Sequence, residues 1–478
     1  MIFLFLAPIL VSLCFILFFK KSGQTSGLFG VVCAILMAFT IPELNISTSV
    51  INKTLLNTFV LSLSALCVIL PGITMASILE NGGYNAKVRE FLDKTPIPTS
   101  QKILILIFGL LPAIESITGF GISLILAVPL FFGLFEQRTA EKLSMLSMNI
   151  MPWGTLGLAT LVGSQISGYT IAELGLKSSY FILPIFLLLS NVTLYLIKTK
   201  SYSFRDFFFT SALSSLFCVI LYTFNWLQLV EIAGVVAGMA TFFIFFCFFI
   251  LQNKSSLFQE IKNLLKATIP YLLIIIFIII NKIFLWLFPL LSSLSTIHGY
   301  GVKFSLASSP LFAISLAVLC LAYHKKINIE VPVTKAYKAC SVLFIFIFLA
   351  QFMNFSGFIQ NMAIHINSQN SDFFIKFTSP MFAMLSGFIT GSNLGGNALL
   401  MGIQKNLGES IGDPLLLSAI QNVGSGYAVF ASMPIIILIK TIADNSVRVK
   451  VDEQRMLNFG LQCMMGIYLI LLAITYLP

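Results

Sequence analysis

Along the 478 residues, apolar stretches of roughly twenty residues follow one another with only short polar loops between them. A helix needs about 20 apolar residues to cross the hydrocarbon core of a bilayer. The pattern therefore predicts an all-α polytopic membrane protein with about 12 transmembrane helices. These are placed at residues 1–19, 26–42, 54–79, 139–166, 177–197, 206–225, 228–251, 267–291, 308–324, 337–354, 414–443 and 456–477. Two further apolar stretches, 101–135 and 377–405, are short for two crossings and long for one. Each breaks in its middle at Gly and polar residues, so each is predicted to be a re-entrant hairpin. No segment between spans is long enough to fold alone. The first run is followed by Lys20 and Lys21 and preceded by no basic residue, the reverse of a cleavable signal peptide, and is expected to be a retained span.

Composition agrees with this picture: 58% of the residues are hydrophobic, 10% are charged and the mean hydropathy is +0.98. The net charge of +10 does not point to nucleic acid, because the basic residues are scattered over short loops. With both hairpins leaving on the side they entered, 22 of the 28 basic residues fall on one side and five on the other, with Lys282 inside a span. By the positive-inside rule the basic loops are cytoplasmic and both termini lie on the outer side.

The same reading yields a repeat. Residues 26–197 run span, span, hairpin (101–135), interrupted span, span, and residues 308–478 run the same way around hairpin 377–405. Residues 1–25 hold the first span, and residues 198–307 hold three linking spans that invert the second copy. Such inverted-topology repeats are found in secondary transporters. The spacing from Thr118 to Pro152 and from Thr390 to Gly424 is 34 residues in each copy.

Four interruptions carry the candidate chemistry: "ESITGFG" (115–121), "NIMPWG" (149–154), "TGSNLGGN" (390–397) and "QNVGSG" (421–426). Unwound backbone is tolerated in a bilayer only where protein or water satisfies its polar groups, so four breaks at matched positions predict a shared polar cavity. Helix halves that start at a break present free N–H groups and partial positive charge, which suits a carboxylate. The candidate substrate-binding residues are Ser116, Thr118, Gly119, Gly121, Asn149, Trp153, Gly154, Thr390, Gly391, Ser392, Asn393, Asn397, Gln421, Asn422, Gly424 and Ser425, with Gln165 a further candidate lining residue. Individually, small and polar residues of this kind also serve helix packing.

Glu115 is the acidic residue placed well inside the apolar region, with Glu141, Glu231 and Asp413 near span ends. Intramembrane ionisable groups are costly and usually functional, and burial favours the neutral carboxyl. Glu115 is therefore the candidate proton-coupling group, the alternative being a structural hydrogen bond to the hairpin backbone. Lys282 either pairs with substrate or Glu115, or snorkels to the interface. His298, His324 and His365 fall in loops or at a span end. The eight cysteines lack metal-ligand spacing, and no metal or cofactor site is expected. No HExxH, nucleophile elbow or paired carboxylate suggests an enzyme.

At these motifs the chain resembles the lactate permease family of bacterial proton-coupled carboxylate transporters. The resemblance rests on "PAIESITGFGISLILAVPLFFGLF", "LSMNIMPWGTLGLATLVGSQISG", "SPMFAMLSGFITGSNLGGNALLMGIQ" and "LLLSAIQNVGSG". It implies symport of L-lactate, D-lactate or glycolate with protons across the inner membrane, by alternating access. It also implies kinship with the wider ion-transporter superfamily, in which a transport domain moves against a dimeric scaffold, so a homodimer is an expected partner state. The chain departs from the family where "YAVFASMPIII" replaces a polar stretch with His and Asn, and where "ISLILAV" is bulkier than the family's counterpart. The substrate class implied is a small organic anion. Sodium coupling is the rival reading, because "TGSN" offers oxygen ligands for a hard cation.

Overall fold

The structure is a computed structural model that describes residues 2–17, 19, 21–84, 86–87, 90, 95, 97–119, 121–198, 203–252, 257–331, 333–358, 360–361 and 372–477. Of the residues used for sidedness, Lys20, Arg89, Lys94, Lys200 and Lys254 lie outside this set, as does His365. The architecture is an all-α polytopic membrane fold. Among the described residues nine helices are long and apolar enough to cross a membrane, or eleven if each of two bent helix pairs is one span.

The helices are α1 (Ala7–Leu17), α2 (Gly23–Thr40), α3 (Thr48–Asn81), α4 (Thr99–Thr118), α5 (Ser123–Leu134), α6 (Gln137–Leu146), α7 (Gly154–Ser167), α8 (Ile171–Ser179), α9 (Ile182–Ile197) and α10 (Phe204–Trp226). They continue as α11 (Val230–Gln252), α12 (Leu257–Leu287), α13 (Pro289–Leu294), α14 (Leu311–Lys325), α15 (Val333–Phe355), α16 (Asp372–Thr390), α17 (Asn393–Ser410), α18 (Pro414–Ala428), α19 (Met433–Ser446) and α20 (Glu453–Thr475). Local chemistry sets many of the ends. Ser22 and Ser47 cap α2 and α3, Thr170 with Glu173 forms a capping box on α8, and Asp413 and Asp452 cap α18 and α20. Each such oxygen satisfies a first-turn N–H that the helix itself leaves unpaired.

Each of the two stretches predicted as hairpins is helix, break, helix; the first pair matches its apolar stretch within two residues, and the arms of the second outrun theirs by five residues at each end. α4 and α5 have 20 and 12 residues, α16 and α17 have 19 and 18. At 1.5 Å per residue the second pair is about 28 and 27 Å long. Hydropathy missed this length because polar ends, Asp372 and Lys376 on one arm and Lys405 and Glu409 on the other, continue the helices. α4 is wound as a π-helix over Leu106–Leu110.

The structure departs from the sequence reading in three further places. "QNVGSG" is not a break: α18 runs through Gln421–Gly426 to Ala428, and the interruption falls at Val429–Ser432. The helix survives there because its Gly and Ser residues meet a close neighbour, with Gly387 of α16 lying against the Ser425 backbone. The span expected at 177–197 is bent by 48° between α8 and α9. The loop before α14 holds a two-stranded antiparallel hairpin, β1 (Thr296–His298) and β2 (Lys303–Ser305). β-branched and aromatic residues suit these strands, and Gly301, at φ +78°, accepts the turn conformation.

Packing interleaves the two halves. α15 packs on α2 and α3, and α14 on α3. The return arm α5 of the first hairpin packs against α19 of the second half, and the return arm α17 of the second packs against α7 of the first. α11 lies along α4, and α18 is enclosed by α16 and α17.

Candidate functional site

The site is assembled where the two hairpin tips meet the two broken helices. At the first tip, Gly119 has φ +66° and Gly121 φ +75°, a region that glycine enters without a Cβ clash. A methyl group at Gly119 would overlap Thr155 Oγ1, so this tip sits on the break of its own half. The second tip repeats the contact: Gly391 has φ +63°, and a methyl there would lie 2.6 Å from Pro434 Cγ.

The first broken helix stops at Leu146, passes a 3-10 turn at Met151–Trp153 and resumes in α7, bent by 47°. Thr155 and Leu156 are left-handed, at φ 51° and 55°, which costs roughly 1–2 kcal/mol per non-glycine residue. The second broken helix resumes at Met433. A Met-Pro pair opens each resumed segment, Met151-Pro152 and Met433-Pro434. Gly424, which lies 34 residues after Thr390, falls inside α18 and not at a break.

A cavity of about 290 Å³ lies between these four features. Three helix starts line it, α7 through Gly154 and Thr155, α17 through Ser392 to Gly395, and α19 through Pro434 and Ile435, together with Gly121, two residues ahead of α5. Among the described residues no lining residue is charged. Side-chain caps occupy part of the donor set at two of the ends. Ser392 Oγ accepts from Gly395 N–H at 3.4 Å, and Glu115 serves the start of α5. The starts of α7 and α19 have no side-chain cap, but Gly154 N–H is taken by Met151 O and Pro434 has no N–H to offer.

Glu115 is fully buried behind this wall. Its Oε1 accepts Gly121 N–H at 2.9 Å, and its Oε2 accepts Ser123 N–H at 3.3 Å and Ser123 O–H at 2.7 Å. Ser123 Oγ in turn lies 3.6 Å from Met148 Sδ, and Met148 lines the cavity. The hydrogen bond to hairpin backbone anticipated as the structural alternative is therefore present, one residue behind the cavity surface.

Six of the sixteen candidate binding residues line the cavity: Gly121, Gly154, Thr390, Gly391, Ser392 and Asn393. The others stand behind it. Asn422 is the centre of an amide network: its Oδ1 accepts from Asn393 Nδ2 at 3.2 Å and Asn397 Nδ2 at 2.8 Å, and its Nδ2 donates to Thr160 and Ser178. Gln421 donates to Ser386 Oγ and Gly396 O. Asn149 donates to Ile107 O, Trp153 Nε1 to Asn225 Oδ1, and Thr118 to Ile114 O. Gly119 contacts Thr155, Gly424 contacts Ala383, Ser116 packs against Gly234, and Ser425 against Gly396. Asn393 Oδ1, Asn397 Oδ1, Gln421 Oε1 and the hydroxyls of Ser116 and Ser425 are buried without a partner among the described residues. Asn393 Oδ1 is the one of these on a lining residue.

Several residues lie elsewhere. Gln165 lines a different cavity. Lys282 pairs with Glu231 at 2.8 Å and donates to Gln228 O, so it meets neither Glu115 nor the main cavity. His298 and His324 are exposed. Glu141, placed near a span end, is as buried as Glu115. It is held by Arg455 at 2.7 and 3.0 Å, by Gln137 and by Asp452 N–H. The apolar lining residues Ile69, Leu158, Val342, Leu343 and Leu438 carry no mark in the sequence that separates them from other span residues.

Residues 289–477 match the family model described as L-lactate permease. The resemblance read from the motifs is borne out over this part of the chain, which holds the second hairpin, α18 and the second break. No curated protein matches the chain.

Proposed function

From the match of its residues 289–477 to the L-lactate permease family, we propose that this multi-pass membrane protein is a secondary active transporter of a small organic carboxylate, L-lactate first and D-lactate or glycolate next. The observation that carries this reading is the convergence of three helix starts and the first hairpin tip on one cavity of about 290 Å³ with no charged lining side chain among the described residues. An anion bound there is held by N–H groups and helix partial charge, and leaves without breaking an ion pair. Thr155, Thr390 and Ser392 add hydroxyls, and Asn393 Oδ1 is free to accept from a 2-hydroxyl. Apolar Ile69, Leu158 and Leu343 face the methyl side of such an acid.

Coupling is assigned to Glu115. Its carboxylate holds Gly121 N–H, and Gly121 is part of the cavity wall. Protonation removes a charge-assisted bond from the hairpin tip, and such bonds are worth about 1.5–3 kcal/mol. It also removes a negative charge that would repel the bound anion. One proton and one carboxylate thus favour each other's presence, as symport requires. The cross-packing of α5 on α19 and α7 on α17 supports an inverted repeat around this cavity working by alternating access. The scatter of basic loops supports placement in the inner membrane with those loops cytoplasmic.

The test is uptake of labelled L-lactate into proteoliposomes under imposed proton or sodium gradients, with Glu115→Gln beside the wild type. Proton-driven uptake lost in the variant is expected. Sodium-driven uptake indifferent to Glu115 would sink the coupling mechanism, and uptake under neither gradient would sink lactate as the substrate.

A further inference from the structure

A second cavity of about 300 Å³ lies on the same helices as the first. It is bounded by α3, α15, α17 and the end of α7, and the loop between β1 and β2 closes it. The loop is pinned by Asn57 of α3, whose Oδ1 accepts Tyr300 N–H at 2.7 Å and whose Nδ2 donates to Tyr300 O and to Gln351 Oε1, both at 3.0 Å.

The polar lining is asymmetric in what it leaves unused. Gln351 is about 3% exposed. Its oxygen is taken by Asn57, while its amide nitrogen has no partner among the described residues. Gln165 shows the opposite: its nitrogen donates to Lys303 O, and its buried Oε1 has no partner among those residues. Lys405 is the charged lining residue, and it is paired with Glu409 at 3.3 Å. Asn354 and Asn406 complete the polar wall. Free N–H donors beside an ammonium match a carboxylate, and a free buried acceptor matches a hydroxyl.

Position adds to chemistry. On α17 the main cavity ends at Gly395 and the second begins at Ala398; on α7 the corresponding residues are Ala159 and Gln165, and on α15 Leu343 and Ala350. At 1.5 Å per residue these gaps are about 5, 9 and 11 Å. The two cavities are consecutive along one seam between helices.

We propose that the second cavity is a binding site for a small hydroxy-carboxylate, its carboxylate held by Lys405 Nζ and the Gln351 amide and its hydroxyl by Gln165 Oε1. It is a second station for the substrate of the main cavity, and the choice of ligand rests on the transport reading above. The test is equilibrium binding of radiolabelled L-lactate to the purified full-length protein, with Lys405→Met and Gln351→Leu beside the wild type and proteoliposome uptake measured on the same preparations. Two equivalents bound by the wild type are expected. Each variant should weaken one of them by roughly tenfold or more, the loss of one charge-assisted contact. Lys405 is one-third exposed, so its variant tests the site even if Gln351→Leu fails to fold. A single equivalent unchanged by Lys405→Met, with uptake intact, would overturn the second site and leave the transport reading standing. Absence of uptake together with binding that both variants weaken would uphold the site and overturn the transport reading. No binding to the wild type would overturn the proposal.

Discussion

The tips of the two hairpins are closed by different groups. In the first, a carboxylate reaches back from α4 to take two backbone N–H groups and a hydroxyl at the start of α5. In the second, Ser392 caps Gly395, and Thr390 Oγ1 lies within hydrogen-bonding distance of Ser386 O and Ser392 O. Both tips turn on glycines at positive φ, so the backbone problem is the same. A hydroxyl is neutral throughout the physiological range, whereas a carboxyl group is one that can gain or lose a proton. The second tip also gives the cavity six consecutive residues, Thr390 to Gly395, against Gly121 alone from the described part of the first. In the proposed mechanism the difference separates recognition, concentrated in the second hairpin, from proton response, concentrated in the first.

The largest expected effect comes from removing what the tips share. Gly119→Ala and Gly391→Ala each force a side chain into the left-handed region, at roughly 1–2 kcal/mol, and into Thr155 or Pro434. Both should abolish uptake, and detergent-solubilised protein should elute as aggregated or heterogeneous material. Wild-type uptake by either variant would break the equivalence of the two tips.

Next is Glu115→Gln, which keeps an acceptor for Gly121 N–H but cannot change charge. Proton-driven accumulation should vanish while exchange of internal for external lactate persists. Loss of both would mean that Glu115 only holds the tip.

A smaller effect is expected of Ser392→Ala, the loss of a neutral cap worth about 1 kcal/mol. Uptake should fall by roughly fivefold with an unchanged pH profile. A shifted profile would show that the second tip also responds to protons. The smallest effect is that of Lys282→Met. A partly exposed ion pair contributes about 0–1 kcal/mol, so uptake should stay within about fivefold of the wild type, measured in the same vesicles.

Much of this was legible in the chain. Apolar run length located the membrane helices, because burying backbone in lipid leaves helix as the solution for such runs. Glycines and hydroxyls inside apolar runs located both hairpin tips, and the lone acid in one of them, Glu115, lies one residue behind the cavity. The fourth break was misplaced because "QNVGSG" has the same local composition whether it unwinds or serves as a close packing surface. The outcome depended on Gly387 of α16 meeting Ser425 of α18, a contact between residues 38 positions apart. Likewise Glu141 looked peripheral until Arg455, more than three hundred residues on, was brought beside it. By itself the sequence determined which runs must be helical and where three of the four candidate breaks fall, since both follow from side chains within a few turns. Only the tertiary structure decided which stops face one cavity, which polar groups are already satisfied by neighbours, and which remain free for a ligand, because those depend on partners that local sequence does not name.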